Sequence, residues 1–123
     1  MNKAELKDRL SEAMEKRGLR SVDLVEMTGI PKVTISYYLS GKTVPRADKL
    51  YRLAQALNVS EAWLLGYGVG MLRTEDQRKN DQLAELVVRM RQDEQFFAAV
   101  EALGELKGDQ LTGVLQMLKA FRQ

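Results

Sequence analysis

Three glycines, at positions 18, 29 and 41, cut the first third of this chain into short segments of helical apolar periodicity, and so restrict it to a set of small helices joined by tight turns. From Ala4 to Arg17, Leu6, Leu10, Ala13 and Met14 recur at spacings of four, three and one among charged residues, which predicts an amphipathic helix ended by Gly18. A second helix is expected to open at Arg20 or Ser21, turn Leu24, Val25 and Met27 inward, and stop at Thr28-Gly29, where glycine can take a positive φ. A third follows at once. Pro31 suits its first turn, Ile35, Tyr38 and Leu39 supply an inward face, and Ser40-Gly41-Lys42 breaks it.

After Thr43-Val44-Pro45-Arg46, a fourth helix is predicted from about Asp48 to Leu57 on Leu50, Leu53, Ala54 and Leu57, and a short fifth from near Ser60. Trp63-Leu64-Leu65 then runs into a stretch with three glycines in five residues, Gly66 to Gly70, which closes the first unit. Beyond it the helical signal returns three times. Leu83, Leu86, Val87 and Met90 form one stripe; Asp93 is the expected cap of a helix carrying Phe96, Phe97, Val100 and Leu103; Asp109 is the expected cap of another carrying Leu111, Val114, Leu115, Leu118 and Phe121. Sustained alternation of apolar and polar residues is missing, so the expected fold class is all-α. The division is residues 1–70 and a C-terminal helical segment, residues 71–123, too small for a comfortable core of its own and suited to self-association.

Charge is unevenly placed. The net charge is only +2, yet residues 1–74 carry +4 and residues 75–123 carry −2. The 21 residues from Met27 to Ala47 contain no acid at all. A surface free of carboxylates suits contact with phosphate, although a charge pattern of this size also arises as ordinary surface variation. The chain lacks cysteine and histidine, which removes thiolate ligands, the commonest metal ligand and the commonest general base. Its carboxylates sit at helix-surface spacings beside Lys and Arg, the pattern of a solvated face rather than of an enzyme site. No cofactor or metal is expected. The charged start Met1–Lys7 and the lack of an apolar run of about 18 residues point to a cytoplasmic location with no membrane contact.

In order and spacing, Arg9-Leu10, Gly18-Leu19, Leu24, Gly29-Ile30, Thr34-Ile35-Ser36, Ser40-Gly41-Lys42, Pro45-Arg46 and Trp63-Leu64-Leu65 closely resemble the lambda-repressor-like helix-turn-helix family, the Cro and CI type. The resemblance spans roughly residues 4 to 68 and implies five short helices, the second and third forming the helix-turn-helix and the third entering the DNA major groove. It places Lys32, Val33, Thr34, Ser36 and Tyr37 on the outward face of the third helix as base contacts. Their chemistry suits the task, since Lys32 can donate to guanine, Thr34 and Ser36 can donate or accept, and Val33 or the Thr34 methyl can pack on a thymine methyl; Tyr37 can reach a base edge or a phosphate. Without the resemblance the same residues read as a solvated helix face. Ser21, Lys42, Thr43 and Arg46 match backbone-contacting positions, and Arg20 stands where the family prefers a small hydroxyl cap, so that either Ser21 takes the cap or Arg20 adds a phosphate contact. Leu10, Leu24, Ile30, Ile35, Tyr38, Leu50, Leu53 and Trp63 are assigned to the core by spacing alone.

Many repressors of that family carry a self-cleaving domain with a serine nucleophile, but residues 61–123 hold no serine. One half-site offers too few base contacts to single out one genomic site, so the C-terminal helices are expected to form a homodimer, with Phe96, Phe97, Leu115, Leu118 and Phe121 as buried anchors, unless those side chains cap the first unit instead. The expectation is a prophage or mobile-element repressor that binds a palindromic operator in double-stranded DNA. The alternative is an antitoxin or adaptor whose C-terminal helices hold a toxin or anti-repressor protein while the first unit autoregulates its operon.

Overall fold

The computed structural model describes residues 4–122; Met1, Asn2, Lys3 and Gln123, including the start of the charged N-terminal stretch, lie outside the described residues. Eight helices follow one another: α1 (Leu6–Arg17), α2 (Ser21–Thr28), α3 (Lys32–Ser40), α4 (Ala47–Leu57), α5 (Glu61–Leu64), α6 (Glu75–Gln92), α7 (Glu94–Gly104) and α8 (Asp109–Ala120). Among the described residues the fold is all-α, with one isolated antiparallel bridge, Val59 to Leu72. The chain divides into two compact units, the first ending at Asp81 and the second beginning at Gln82.

In the first unit the glycine stops work as expected. Gly18, Gly29 and Gly41 all lie in the left-handed region, with φ of 64°, 73° and 81°. Each lets the chain reverse at a helix end where a Cβ would be strained. Asn58, a non-glycine at φ 57°, ends α4 by the same means. The core gathers Leu10, Ala13, Leu24, Ile35, Leu53, Ala54 and Leu64, all fully shielded, with Ile30, Tyr38, Leu50, Leu57, Val59 and Trp63 around them. Every side chain that spacing assigned to the core is buried. Met27, however, is 50 % exposed. Its neighbour Thr28 turns inward instead, donating its hydroxyl to the Leu24 carbonyl at 2.6 Å and accepting from the Ile30 N–H at 3.1 Å. A threonine that satisfies its own hydroxyl locally can take an interior position and leave the longer methionine outside.

The first unit runs past the glycine stretch that was expected to close it. The Ser60 N–H reaches the Met71 carbonyl at 2.9 Å and the Arg73 N–H reaches the Asn58 carbonyl at 3.1 Å, so residues 71–73 are sewn back onto the α4–α5 connection. Arg73 is then buried, bonded to both Asp81 carboxylate oxygens, to Glu61 and to the Val59 carbonyl, with the Tyr51 ring 5.6 Å away. A buried guanidinium needs this full set of acceptors. Those bonds, together with Met71 packed against the core, tie the stretch from Gly70 to Asp81 to the first unit.

The second unit holds the remainder of α6 together with α7 and α8. Asp93 caps α7 as expected, accepting from the Phe96 N–H at 3.0 Å. The cap of α8 is Gly108, with φ 55°, and Asp109 is its first residue, where the carboxylate meets the positive end of the helix dipole. Neither α7 nor α8 contains a buried residue.

Candidate nucleic-acid interface

Helix α3 has two faces of different character. Ile35 and Tyr38 point into the core, whereas Lys32, Val33, Ser36 and Tyr37 are exposed and Thr34 is half-buried. Positions 32, 33, 36 and 37 recur at helical spacing and so form one outward stripe. Val33 on that stripe is 57 % exposed, an apolar side chain that the core does not claim. Pro31 precedes the helix at φ −59° and its carbonyl accepts from the Thr34 and Ile35 N–H groups.

The entry to α2 settles which residue caps it. Arg20 remains the cap position, and the Asp23 carboxylate accepts from the Arg20 N–H at 2.8 Å; Ser21 is the first helical residue. The Arg20 Nε also lies 3.4 Å from the same carboxylate oxygen, so this exposed cation is already half compensated. The Arg20 backbone and side-chain bonds hold the Asp23 carboxyl below the usual carboxylate range.

The exit from α3 is closely organised. The Gly41 N–H bonds to the Tyr38 carbonyl at 3.2 Å and the Lys42 N–H to the Tyr37 carbonyl at 2.9 Å, the paired bonds of a Schellman turn. The Ser40 hydroxyl and the Thr43 N–H point at the same Tyr37 carbonyl, at 3.1 and 3.4 Å. Lys42 folds back so that its Nζ sits 4.4 Å from the Tyr37 ring centroid. Lys7, from α1, crosses the turn with its Cδ 3.0 Å from where a Gly41 Cβ would stand.

Beyond the turn lies a surface groove of about 440 Å³ bounded by Thr34, Tyr37, Tyr38, Thr43, Val44, Arg46, Asp48 and Lys49. Thr43 and Arg46 are exposed on its rim, together with Val44. Asp48, the first acid after the acid-free stretch, therefore borders the groove. Burial, with the Asp48 charge adding, pushes the Tyr38 hydroxyl pKa up and keeps it neutral. Spatially the structure brings Thr34, Tyr37, Thr43 and Arg46 to one rim and puts Lys42 on the Tyr37 ring, while Arg20 and Ser21 stand at the other helix entry.

Sequence reasoning passed over Lys7, Ser40 and Lys49 at this surface. Lys49 was findable as a cation three residues after Arg46; Lys7 was not, because only the tertiary fold of α1 against α3 brings it to Gly41. The expected dimer anchors lie on α7, α8 and the residue after it. Phe96 is half-buried with the Arg89 guanidinium 4.0 Å from its ring centroid, Phe97, Leu115 and Leu118 are about half exposed, and Phe121 is 81 % exposed. Val87, Met90, Arg91 and Phe97 line an apolar cleft of about 340 Å³ in that unit. Among the described residues no helix is long and apolar enough to cross a membrane, and no group of three or more carboxylates converges as metal ligands would.

A helix-turn-helix family model matches residues 10–64. The solution structure of the DNA-binding domain of the P22 c2 repressor is similar to this chain at 28 % identity and a TM-score of 0.52, over 57 % of this chain and 92 % of that one. The crystal structure of the P22 c2 repressor in complex with a synthetic operator aligns at 29 % identity and a TM-score of 0.48, over 50 % and 94 %. A transcriptional regulator from Listeria innocua aligns at 27 % identity and a TM-score of 0.49, over 85 % and 92 %. No curated protein matches the chain significantly.

Proposed function

We propose that the chain, whose residues 10–64 match a helix-turn-helix family model, is a lambda-repressor-like regulator that represses a prophage or mobile-element promoter by binding a palindromic operator as a dimer. At the coarser level the chain is a DNA-binding transcription regulator and not an enzyme.

The observation that carries the reading is the outward stripe of α3. Lys32, Val33 and Ser36 project from a helix whose other face is locked into the core, with Thr34 half-buried at their edge, and together they offer a cation, two hydroxyls and an apolar surface to base edges. Ser21, Lys42, Thr43 and Arg46 supply contacts to the phosphate backbone on either side, with Arg20 contributing a charge already shared with Asp23. DNA binding is assigned to residues 1–70 and the dimer contact to the C-terminal segment, residues 71–123, through its helices beyond Asp81. In the second unit, α8 turns Leu111, Leu115 and Leu118 outward with none of them buried, which supports burial against a copy of the chain through Phe97, Leu115, Leu118 and Phe121, with Phe96 beneath. The same open face favours, as a second reading, a toxin or anti-repressor protein as its occupant.

Titrating the full chain against its own upstream intergenic DNA and against a scrambled duplex, across salt concentrations, tests the assignment. Preference for the native segment of about a thousandfold is expected. Thr34→Ala or Ser36→Ala should cost about 1–3 kcal/mol on the native segment only, whereas Arg46→Ala should weaken both duplexes alike and lower the salt slope by about 1. An unchanged slope for Arg46→Ala sinks the phosphate assignment. Sedimentation equilibrium of the wild type beside Leu118→Asp checks the dimer; a monomeric wild type at binding concentrations leaves the protein-partner reading standing.

A further inference from the structure

Tyr37 sits on the outward stripe of α3, where its hydroxyl invites assignment as a contact to base or phosphate. Its surroundings give it a different task. The Tyr37 carbonyl accepts from the Lys42 N–H at 2.9 Å, from the Thr43 N–H at 3.4 Å and from the Ser40 hydroxyl at 3.1 Å, so the backbone of the exit turn is built on this residue. Gly41, at φ 81°, is the reversal that makes this possible. The reversal also carries the Lys42 side chain back over the Tyr37 ring, with Nζ 4.4 Å from the centroid. One residue thus fixes both ends of Lys42, its N–H through a carbonyl and its ammonium through a ring face.

We propose that Tyr37 is a positioning residue, whose ring holds the Lys42 ammonium in place as a phosphate contact, so that the two side chains meet the DNA backbone as one unit. The proposal rests on the DNA-binding reading above and gives that surface a division of labour. A lysine on a loop has many rotamers to lose when it meets a phosphate; restricting them beforehand lowers that loss. The ring occupies one side of the ammonium, leaving its remaining N–H donors for an anion, and a cation over a π face keeps its full charge. The attraction comes from the ring face, which phenylalanine also has, and not from the hydroxyl.

The test uses the full chain and a mixed-sequence DNA duplex, because a phosphate contact acts on any sequence and needs no known operator. Salt titrations compare the wild type with Lys42→Ala, Tyr37→Leu, Tyr37→Phe and the double variant Tyr37→Leu/Lys42→Ala. Lys42→Ala should lower the salt slope by about 0.9. Tyr37→Leu should weaken binding about two- to fivefold, Tyr37→Phe should restore it, and the double variant should be no weaker than Lys42→Ala alone. A Tyr37→Phe loss equal to that of Tyr37→Leu would make the hydroxyl the contact and overturn the proposal, as would losses that simply add in the double variant. Nuclear magnetic resonance on the free protein supplies an independent arm. The Lys42 Cε protons should be shifted upfield by the ring in the wild type and in Tyr37→Phe, and should return in Tyr37→Leu; an unshifted Lys42 in the wild type overturns the pairing without reference to DNA. A wild type with no salt-dependent affinity for the duplex, but with the shifted lysine, would instead remove the DNA-binding reading and the role proposed here while keeping the pair.

Discussion

Arg73 and Asp81 meet through two side-by-side hydrogen bonds, Nε to Oδ2 and Nη2 to Oδ1, each 2.7 Å long. Both residues are buried. The guanidinium also bonds Glu61, with the Tyr51 ring 5.6 Å away, so one cation and two carboxylates from α5, the α5–α6 connection and α6 share a shielded site. The hydrogen bonds from Arg73 hold the Asp81 carboxyl below the usual carboxylate range, and those same bonds raise the guanidinium further above its own.

Removing Asp81 therefore leaves a buried cation with only part of its compensation. Asp81→Ala should destabilise the protein by about 3 kcal/mol, the low end for a broken buried pair because Glu61 still faces the guanidinium. The dependence on pH follows in sign. A carboxyl whose folded pKa is depressed adds stability above its unfolded value of about 3.9, and that contribution is lost as pH falls through the lower folded value. Urea melts between neutral pH and pH 2–3 should show a steep acid limb in the wild type, and Asp81→Asn should flatten it. An equally steep limb in Asp81→Asn would move the acid sensitivity elsewhere, with Asp23 the next carboxyl of the same sign.

The position of Asp81 also decides where the chain can be cut. A fragment ending at Thr74 keeps all five helices of the first unit but loses Asp81, whereas one ending at Glu85 retains it. Calorimetry should find the shorter fragment melting roughly 10–20 °C below the longer. Equal midpoints would mean that the Arg73 site relaxes to solvent without penalty.

Much of this was readable in advance, for a local reason. The stops at Gly18, Gly29 and Gly41 and the inward Leu10, Leu24, Ile35 and Leu53 follow from spacing and from one residue's backbone freedom, which neighbours in sequence fully determine. Arg73 carries no such signal. Its burial depends on partners at positions 51, 59, 61 and 81, and a lone arginine after a glycine-rich stretch reads as solvated. The outward stripe of α3 was legible because its residues are what the core leaves unused, whereas the stacking of Lys42 on Tyr37 required the geometry of the Gly41 turn. The apolar stripes of α7 and α8 were legible as stripes; the exposure they keep within the second unit is a property of packing that spacing does not encode.

Thr28 offers a narrower test. Thr28→Val is nearly isosteric, yet it deletes the bond to the Leu24 carbonyl and strands the buried Ile30 N–H that now reaches the hydroxyl. A loss of about 1–3 kcal/mol in chemical denaturation is expected, with Thr28→Ser retaining most of the stability. A neutral Thr28→Val would show that water or another acceptor reaches the Ile30 amide.

Gly41 can be compared with Gly18, which shares its left-handed backbone but has nothing within 4 Å of a built Cβ. Alanine at either position should cost about 1 kcal/mol for the backbone alone. Gly41→Ala should cost more, because its Cβ meets the Lys7 side chain, and the excess should vanish in a Lys7→Ala background. If the two alanine variants melt together, the Lys7 stem moves aside freely.

The glycine-rich stretch has a consequence for how this protein can change over generations. Its flanks are fastened by partners outside the loop: the Tyr67 carbonyl accepts from Arg9 Nη1 at 2.7 Å, and the Met71 carbonyl from the Ser60 amide at 2.9 Å. Between them residues 68–70 are exposed. Because those fastenings hold whatever lies between, lengthening the tip taxes only the closure entropy, about 0.6 kcal/mol for each doubling of a flexible loop. Descendants of this sequence can therefore acquire extra residues at Val69, or accept a foreign peptide there, without disturbing helix α3 or the buried charges at Arg73.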